Sequence, residues 1–344
     1  MLKTVKIGVL NAARGMGLFA AANLTSWRNQ KLLILCYHGI SFQDEHLWNP
    51  GLYLSAETFR ERLRILRDNR YNVLPLREAL RRMREGTLPP RSVAITFDDG
   101  EYNFHALAYP ALREFQMPAT VYLATYYCNN QLPVFDVAAS YLLWRGRGRR
   151  LETANLPPEI LDGNGSGIDL SADNVRSTYM RMRTQVLQNS FSTGDKDAVL
   201  RTLAGNLNLD YEDLARRRVF HLMTPEEVTE ISRNGMDIEL HTHRHRTPRD
   251  RDLFMREIDD NRRYIEEMTG VRPRHFCYPS GDYTPAFFPW LREAGVESAT
   301  TCELGFADAS QDPMELPRLL DLTSFSAVEF EGWLAGVCAV LPRK

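Results

Sequence analysis

The stretch Ala94–Gly100, which reads AITFDDG, places two adjacent carboxylates directly after an apolar run. The apolar residues are typical of a buried strand, and Asp98, Asp99 and Gly100 fall where that strand turns. Two like charges side by side repel, and a turn needs only one Asp beside its glycine. The pair therefore indicates a positively charged partner at the strand end, and a metal ion is the usual candidate.

The segments on either side of this strand alternate between strand and helix patterns. LLILCYH (32–38) and ATVYLAT (119–125) are apolar runs of strand length, whereas SAETFRERLRILRDN (55–69) and HALAYPALREF (105–115) have helical spacing. Repeated strand and helix units of this kind predict an α/β fold with a parallel sheet and outer helices, either open or closed into a barrel.

This alternation stops between residues 128 and 218, where helical patterns surround a Gly-, Asn-, Ser- and Pro-rich connection (156–174). Strand and helix order resumes at MTPEEVTEISRNGMDIEL (223–240). We therefore predict a barrel built from residues 31–127 and 219–344, with a mostly helical insertion at residues 128–218.

Residues 1–30 are predicted to form an amphipathic helix that packs on the domain or rests on a membrane surface. A signal peptide requires an unbroken apolar run, and Asn11 and Arg14 interrupt this one, although Ala20–Ala22 leaves export open. A cytoplasmic protein, with membrane association as an alternative, is the expectation. The apolar residues at helical spacing are Leu2, Val5, Val9, Ala12, Met16 and Phe19.

Composition narrows the function classes. The 42 basic and 44 acidic residues nearly balance, giving a net charge of -2, which excludes the basic footprint of a nucleic-acid-binding protein. The five cysteines are widely spaced without a CxxC pair, so neither a disulfide framework nor a zinc knuckle is expected. We interpret Cys36 and Cys277 as packing residues.

A second polar cluster, HTHRH, places His241, His243 and His245 at the end of another predicted strand. Imidazole and carboxylate groups are ligands that zinc accepts, and a catalytic site uses three of them with one position left for water. Strand alternation would put all three histidines on one face, whereas a helical turn would pair His241 with His245. Carboxyl ends of parallel strands meet at one edge, so one Asp and two of these His are expected to form a metal site.

TFDDG and HTHRH together resemble the polysaccharide deacetylases, the NodB-like metal-dependent carbohydrate esterases of family 4. LCYHGI (35–40) and HFCYPSGDY (275–283) are similar to further landmarks of the family, the latter in its Phe-x-Tyr-Pro-x-Gly subgroup. The resemblance runs from about residue 32 to 320 apart from the insertion. It implies a distorted (β/α)7 barrel, the NodB homology domain, which removes N- or O-acetyl groups from saccharides.

Position by position, the resemblance makes Asp99, His241 and His245 the ligands of a divalent metal, with zinc preferred and cobalt, nickel, manganese or iron as alternatives. It leaves Asp98 as the general base, because one carboxylate must stay off the ion to accept a proton. The backbone N–H of Ser280 is expected to bind the oxyanion.

Two landmarks of the family are missing. The Arg that braces the base is replaced by Cys277, and LPRLLDL (316–322) contains Arg318 where the family has a late His that protonates the leaving amine. The candidates for the general acid are His38, His243 and His275, in that order. The residues expected to line the sugar site are Tyr278, Gly281, Tyr283 and His243.

The expected function is a metal-dependent deacetylase of an acetylated oligo- or polysaccharide in exopolysaccharide or surface-glycan biosynthesis. A lipid-linked saccharide is an alternative partner, because WRGRGRR (144–150) could contact phosphate groups. Two other functions stay open: a hydrolase of a non-sugar amide or ureide, and a catalytically silent saccharide-binding protein with the same fold.

Overall fold

A computed structural model describes residues 2–129, 131–153, 155–161 and 167–340. The chain forms two compact units, one comprising Met1–Tyr126 and Pro225–Lys344 and the other Tyr127–Thr224. The second unit thus ends six residues beyond the predicted insertion, at 224 rather than 218. The reason is that Phe220 belongs to it, since its ring lies 4.9 Å from that of Tyr141 and its carbonyl accepts the Val134 N–H.

Seven strands close into a parallel barrel. Their order is β1-β12-β11-β10-β9-β6-β5, and β5 pairs with β1 to complete the ring, while β4 pairs with β5 outside it. This confirms the predicted (β/α)7 barrel and decides between an open and a closed sheet. The strands in the described ranges are β1 (Leu33–Tyr37), β2 (Gly39–Ser41), β3 (Tyr53–Ser55), β4 (Asn72–Val73), β5 (Ser92–Phe97), β6 (Thr120–Leu123), β7 (Arg150–Leu151), β8 (Ile168–Asp169), β9 (Asp237–Leu240), β10 (His275–Cys277), β11 (Ser298–Leu304) and β12 (Leu316–Leu320).

Helices flank the barrel and fill the second unit, where β7 and β8 pair as a short antiparallel ribbon. Side-chain caps start several of them: Ser55 accepts the Thr58 N–H, and Ser326 forms a capping box with Glu329. A π-helical turn, Phe104–Ala108, precedes α7. The helices are α1 (Leu2–Gly15), α2 (Leu18–Ala22), α3 (Ser26–Asn29), α4 (Glu45–Trp48), α5 (Ala56–Asp68), α6 (Leu76–Arg84), α7 (Tyr109–Glu114), α8 (Phe135–Arg145), α9 (Pro158–Leu161), α10 (Ala172–Gln188), α11 (Thr193–Asn206), α12 (Tyr211–Arg216), α13 (Pro225–Arg233), α14 (Arg251–Thr269), α15 (Phe287–Glu293) and α16 (Ala327–Leu334).

The insertion is helical as expected, with α8 to α12 in the second unit. Residues 162–166 of the predicted Gly- and Asn-rich connection lie outside the described residues.

The first strands of the barrel are buried on both faces, as their apolar runs predict. Every residue of β1 and β5 is buried. The Asp98 N–H donates to the carbonyl of Tyr37, so the ends of these two neighbouring strands lie at the same rim. Residues that follow β1 and β5 are therefore brought together at the carboxyl end of the barrel.

The N-terminal helix α1 packs on α16 of the barrel unit through a face other than the predicted one. Leu10 and Ala13 are buried, whereas Val5 and Val9 are 59% and 55% exposed. Lys6 pairs with Glu329 at 3.1 Å and fixes the helix by its polar side. Val5 and Val9 therefore do not pack on the domain, and contact of their face with a membrane surface stays a prediction. No helix in the described ranges is long and apolar enough to cross a membrane.

Candidate metal centre and active site

Asp99, His241 and His245 meet at the carboxyl rim of the barrel. Oδ1 of Asp99 lies 3.1 Å from Nε2 of His241 and 3.0 Å from Nε2 of His245. The backbone turns sharply on both sides, because Asp99 has φ 70°, Thr242 φ 61° and His245 φ 53°. The left-handed conformation at these residues brings His241 and His245 together. This is the pairing expected from a helical turn, although the segment consists of bends and not of a helix.

The loop that carries the histidines is held by α14. Asn261 accepts the His241 N–H at 2.9 Å, and Glu257 accepts the N–H of Arg244 at 2.7 Å. Nδ1 of His241 lies 2.8 Å from the carbonyl of Cys277, which makes Nδ1 the donor and directs the lone pair of Nε2 towards Asp99. The sequence patterns did not point to Asn261, since nothing in its helix distinguishes it from a surface amide.

This donor set fits a divalent metal ion. The three ligand atoms lie within 4.8 Å of one another. Tetrahedral coordination at bond lengths of about 2.0–2.2 Å separates neighbouring donors by about 3.4 Å, a few tenths of an ångström more than the separations seen here. One carboxylate and two imidazoles leave a position for water or substrate, as in catalytic zinc sites.

Asp98, the carboxylate beside this cluster, is paired with Arg318. Nη1 and Nη2 of Arg318 lie 2.7 Å from Oδ1 and Oδ2 of Asp98, so the two groups meet in a bidentate pair. Both are buried, at 1% and 2% exposure. Burial opposes ionisation, but the charge and hydrogen bonds of Arg318 outweigh it and hold the pKa of Asp98 well below its ordinary value.

Arg318 therefore occupies the role that the resemblance assigned to the position of Cys277. It reaches Asp98 from β12 instead of β10, and its Nε donates to the carbonyl of Thr301 at 2.9 Å. The sequence held a signal for it, because an arginine within the apolar strand LPRLL needs a buried carboxylate as a partner.

Two thiols and an imidazole complete the surroundings of Asp98. Oδ2 lies 3.6 Å from Sγ of Cys36, 3.4 Å from Sγ of Cys277 and 3.7 Å from Nε2 of His38. Burial raises the pKa of both thiols, so they are protonated donors. Burial also lowers the pKa of His38, although Asp98 and Asp99 act in the opposite direction.

The turn after β10 lies beside the cluster of Asp99, His241 and His245. Ser280 has φ 57° and shares an open groove with His245, Thr247 and Asp282. Gly281 has φ 66°, and a Cβ on it would approach Sγ of Cys302 to 3.0 Å, which explains the glycine. Tyr283 is half-buried and stacks on Tyr278 at 5.1 Å.

Three residues predicted to serve the site do not reach the cluster. Nδ1 of His243 lies 2.9 Å from Oγ1 of Thr125, and its ring stacks on Tyr264 at 5.0 Å. His275 begins β10, at the opposite end of the barrel from Asp99, so it cannot be the acid. Tyr278 is buried, and its hydroxyl donates to the carbonyl of Met314 at 2.8 Å, which makes it a packing residue.

A closed parallel barrel with an Asp-His-His cluster and a separately braced carboxylate at its carboxyl rim has the arrangement of an α/β-barrel hydrolase. The polysaccharide deacetylase family profile matches residues 85–299, so the chain belongs to that family. This confirms the resemblance drawn from the two motifs.

Comparison with similar proteins agrees with membership of this family. The chain is 29% identical over 94 residues to the poly-beta-1,6-N-acetyl-D-glucosamine N-deacetylase of Escherichia coli (strain K12), which covers 27% of this chain and 14% of that enzyme. The structure of the Streptococcus pyogenes deacetylase PplD in complex with acetate is similar, with TM-score 0.57 and 18% identity over 87% of this chain and 96% of that one. IcaB from Ammonifex degensii gives TM-score 0.56 and 17% identity over 89% and 97% of the two chains. At these identities, the two structures establish a common fold.

Proposed function

We propose that this protein is a metal-dependent deacetylase of an N-acetylated saccharide of the exopolysaccharide or surface-glycan class. The observation that carries the proposal is that the two neighbouring carboxylates have different partners: Asp99 contacts His241 and His245, while Asp98 forms a bidentate pair with Arg318. If both carboxylates bound the metal ion, the site would have no general base. Because the two carboxylates have different partners, one can bind the metal and the other can act as the base.

Asp99, His241 and His245 would hold the ion, with zinc as the preferred metal. A bound divalent ion supplies a Lewis acid for the acetyl carbonyl and lowers the pKa of a water molecule. The selection of zinc follows from two imidazole ligands and one carboxylate, a set that cobalt and nickel also accept.

Asp98 accepts the proton of the attacking water. Its low pKa keeps it ionised at neutral pH, and the bidentate pair with Arg318 fixes the direction of its free lone pairs. His38 is the next proton carrier, since its Nε2 lies 3.7 Å from Oδ2 of Asp98. A neutral imidazole is more basic than Asp98, so the proton passes readily from the carboxylate to His38 and then to the leaving nitrogen.

The backbone N–H of Ser280 is assigned to the developing oxyanion. Its place in a groove with His245 supports this role, because the N–H of a left-handed turn beside the metal cluster can face the acetyl oxygen. Tyr283 offers a half-buried ring for a sugar face in the same turn.

The choice of an N-acetylated saccharide is supported by the similarity to the poly-beta-1,6-N-acetyl-D-glucosamine N-deacetylase of Escherichia coli. The test is release of acetate and of free amines from N-acetylglucosamine oligomers, both β-1,6-linked and β-1,4-linked, by zinc-loaded protein. Asp98→Asn, Asp99→Asn and a chelated sample accompany the wild type. The control variant is Asp252→Asn, which removes a carboxylate that is 85% exposed at the start of α14.

Equal release of acetate and amine by the wild type and Asp252→Asn, with loss in the other three samples, would support the proposal. If the N-acetylated oligomers are not cleaved but an O-acetylated oligomer releases acetate, the protein is an esterase. Binding of saccharide with neither product, at full metal content, would contradict the proposal and favour a silent binding protein.

A further inference from the structure

A second group of metal-ligating side chains surrounds Asp98, and it shares no ligand with the Asp99 cluster. Cys36 Sγ, His38 Nε2 and a carboxylate oxygen of Asp98 all lie within 4.8 Å of one another. Cys36 lies at the end of β1 and Asp98 follows β5, so the pairing of these two strands fixes the group. The side chain of His38 is 15% exposed, which leaves a path from solvent.

The two separations from Oδ2 of Asp98 match those of a tetrahedral thiolate site. Zinc bonds of about 2.3 Å to sulfur and 2.0–2.2 Å to nitrogen and oxygen place neighbouring donors about 3.3–3.7 Å apart. Sγ of Cys36 lies 3.6 Å from Oδ2 of Asp98, and Nε2 of His38 lies 3.7 Å from the same atom. A fourth donor is in reach, because Sγ of Cys277 lies 3.4 Å from that oxygen.

We propose that Cys36, His38 and Asp98 form a second, inhibitory site for a thiophilic divalent cation such as zinc. Binding replaces the thiol proton of Cys36, which is released to solvent, and uses the lone pair of Oδ2 that Arg318 leaves free. An ion there occupies both the base and its proton carrier. The inhibitory effect rests on the proposed function, whereas the existence of the site does not.

The sulfur ligand determines which ions bind. Zinc, cadmium and cobalt accept thiolate, while magnesium prefers oxygen ligands. The Asp99 cluster contains only oxygen and nitrogen donors. A thiolate-to-metal charge-transfer band therefore indicates binding at the second site, because an ion bound by the Asp99 cluster has no sulfur ligand and gives no such band.

The test is a titration of the full chain with cobalt, followed in the near ultraviolet. The wild type is expected to develop a thiolate-to-cobalt band only after the first equivalent is bound. Cys36→Ala should lose this band and bind one ion fewer. Cys302→Ala is the matched control, because Cys302 is an exposed thiol near Gly281, and this variant should keep the band. Absence of the band from the wild type, or its survival in Cys36→Ala, would overturn the site.

Inhibition is measured separately, with each variant normalised to its own rate at one equivalent of zinc. Excess zinc should slow the wild type and Cys302→Ala at least about tenfold, a change of about 1.4 kcal/mol in activation free energy. Excess magnesium should leave them unchanged, and Cys36→Ala should resist zinc. Equal zinc inhibition of all three proteins would refute the inhibitory role. If no substrate is turned over, the cobalt spectra still decide whether the site exists, so the two proposals fail separately.

Discussion

The guanidinium of Arg318 meets the carboxylate of Asp98 edge to edge, with both N···O distances at 2.7 Å. The pair is buried at the barrel rim beside the Asp99 cluster. The two adjacent aspartates thus have different partners. Asp98 pairs with the guanidinium of Arg318, and Asp99 contacts two imidazoles. The pair with Arg318 keeps Asp98 ionised.

Arg318→Gln is expected to weaken the base in a pH-dependent way. Without the cation, nothing offsets the burial of the carboxylate, so the pKa of Asp98 should rise above its ordinary value. Because the base must be ionised, the acid limb of the pH–rate profile should move to higher pH. Loss of one partner of a buried pair should also lower the free energy of unfolding by about 3–5 kcal/mol. Deacetylation rates between pH 4 and 8 and urea titrations measure the two effects.

Arg292→Gln is the control for this experiment. Arg292 also pairs with a carboxylate, Asp312, but its side chain is 49% exposed. Its removal should leave the profile in place and change stability by less than about 1 kcal/mol. An Arg318→Gln enzyme that stays folded with the wild-type acid limb would show that Arg318 does not set the charge of Asp98.

His38→Gln should slow amide cleavage more than ester cleavage. An amine leaves poorly without a proton, whereas an alkoxide or phenolate needs one less, so kcat on an N-acetyl substrate should fall about 100-fold or more. Activity on an aryl acetate should fall much less. The ratio of the two rates is the measurement, with His105→Gln on the π-helical turn as control, since His105 contacts Glu230 instead of the site. Equal losses on both substrates would remove His38 from the proton path.

Zinc should stabilise the wild type, and it should stabilise Asp99→Asn much less, because that variant keeps only the second site proposed above. Binding to the native state alone adds RT ln(1 + [L]/Kd), or about 2.7 kcal/mol when the free ion is at 100 times Kd. Thermal melts with and without zinc measure this difference. The Asp252→Asn variant should shift as the wild type does. A full zinc shift in Asp99→Asn would place the ion elsewhere.

The barrel and the Asp-His-His cluster could be predicted because their signals are local. The strand predicted from AITFDDG is β5, which runs from Ser92 to Phe97, and the carboxylates follow it directly. The brace of the base could not be placed in this way. Arg318 lies 220 residues from Asp98 along the chain, and only the closure of β12 onto β1 brings them together.

The orientation of individual side chains was also beyond the sequence. His243 lies between two metal-cluster histidines, and the left-handed turn at Thr242 directs it towards Thr125 instead. The exposed stripe of α1 shows the same limit, because helical spacing defines faces but not which face meets a neighbour. Both outcomes depend on tertiary contacts that periodicity does not encode.

His275 should make the fold acid-sensitive although it lies far from the chemistry. Burial lowers the pKa of this histidine from 6.5 to about 4. The unfolded chain therefore binds a proton that the native state excludes, so stability is complete above about pH 6.5 and falls as the pH drops towards 4. At pH 5 the loss from this group is about 2 kcal/mol.

Urea titrations at pH 7 and pH 5 measure this effect. The free energy of unfolding of the wild type should be lower at pH 5 than at pH 7, and in His275→Gln this difference should be smaller by about 2 kcal/mol. Ser298→Ala is the matched control, since it removes the 2.9 Å contact to Nδ1 of His275 but no titratable group, and it should lower stability equally at both pH values. A His275→Gln protein with the wild-type pH dependence would show that another group takes up the proton.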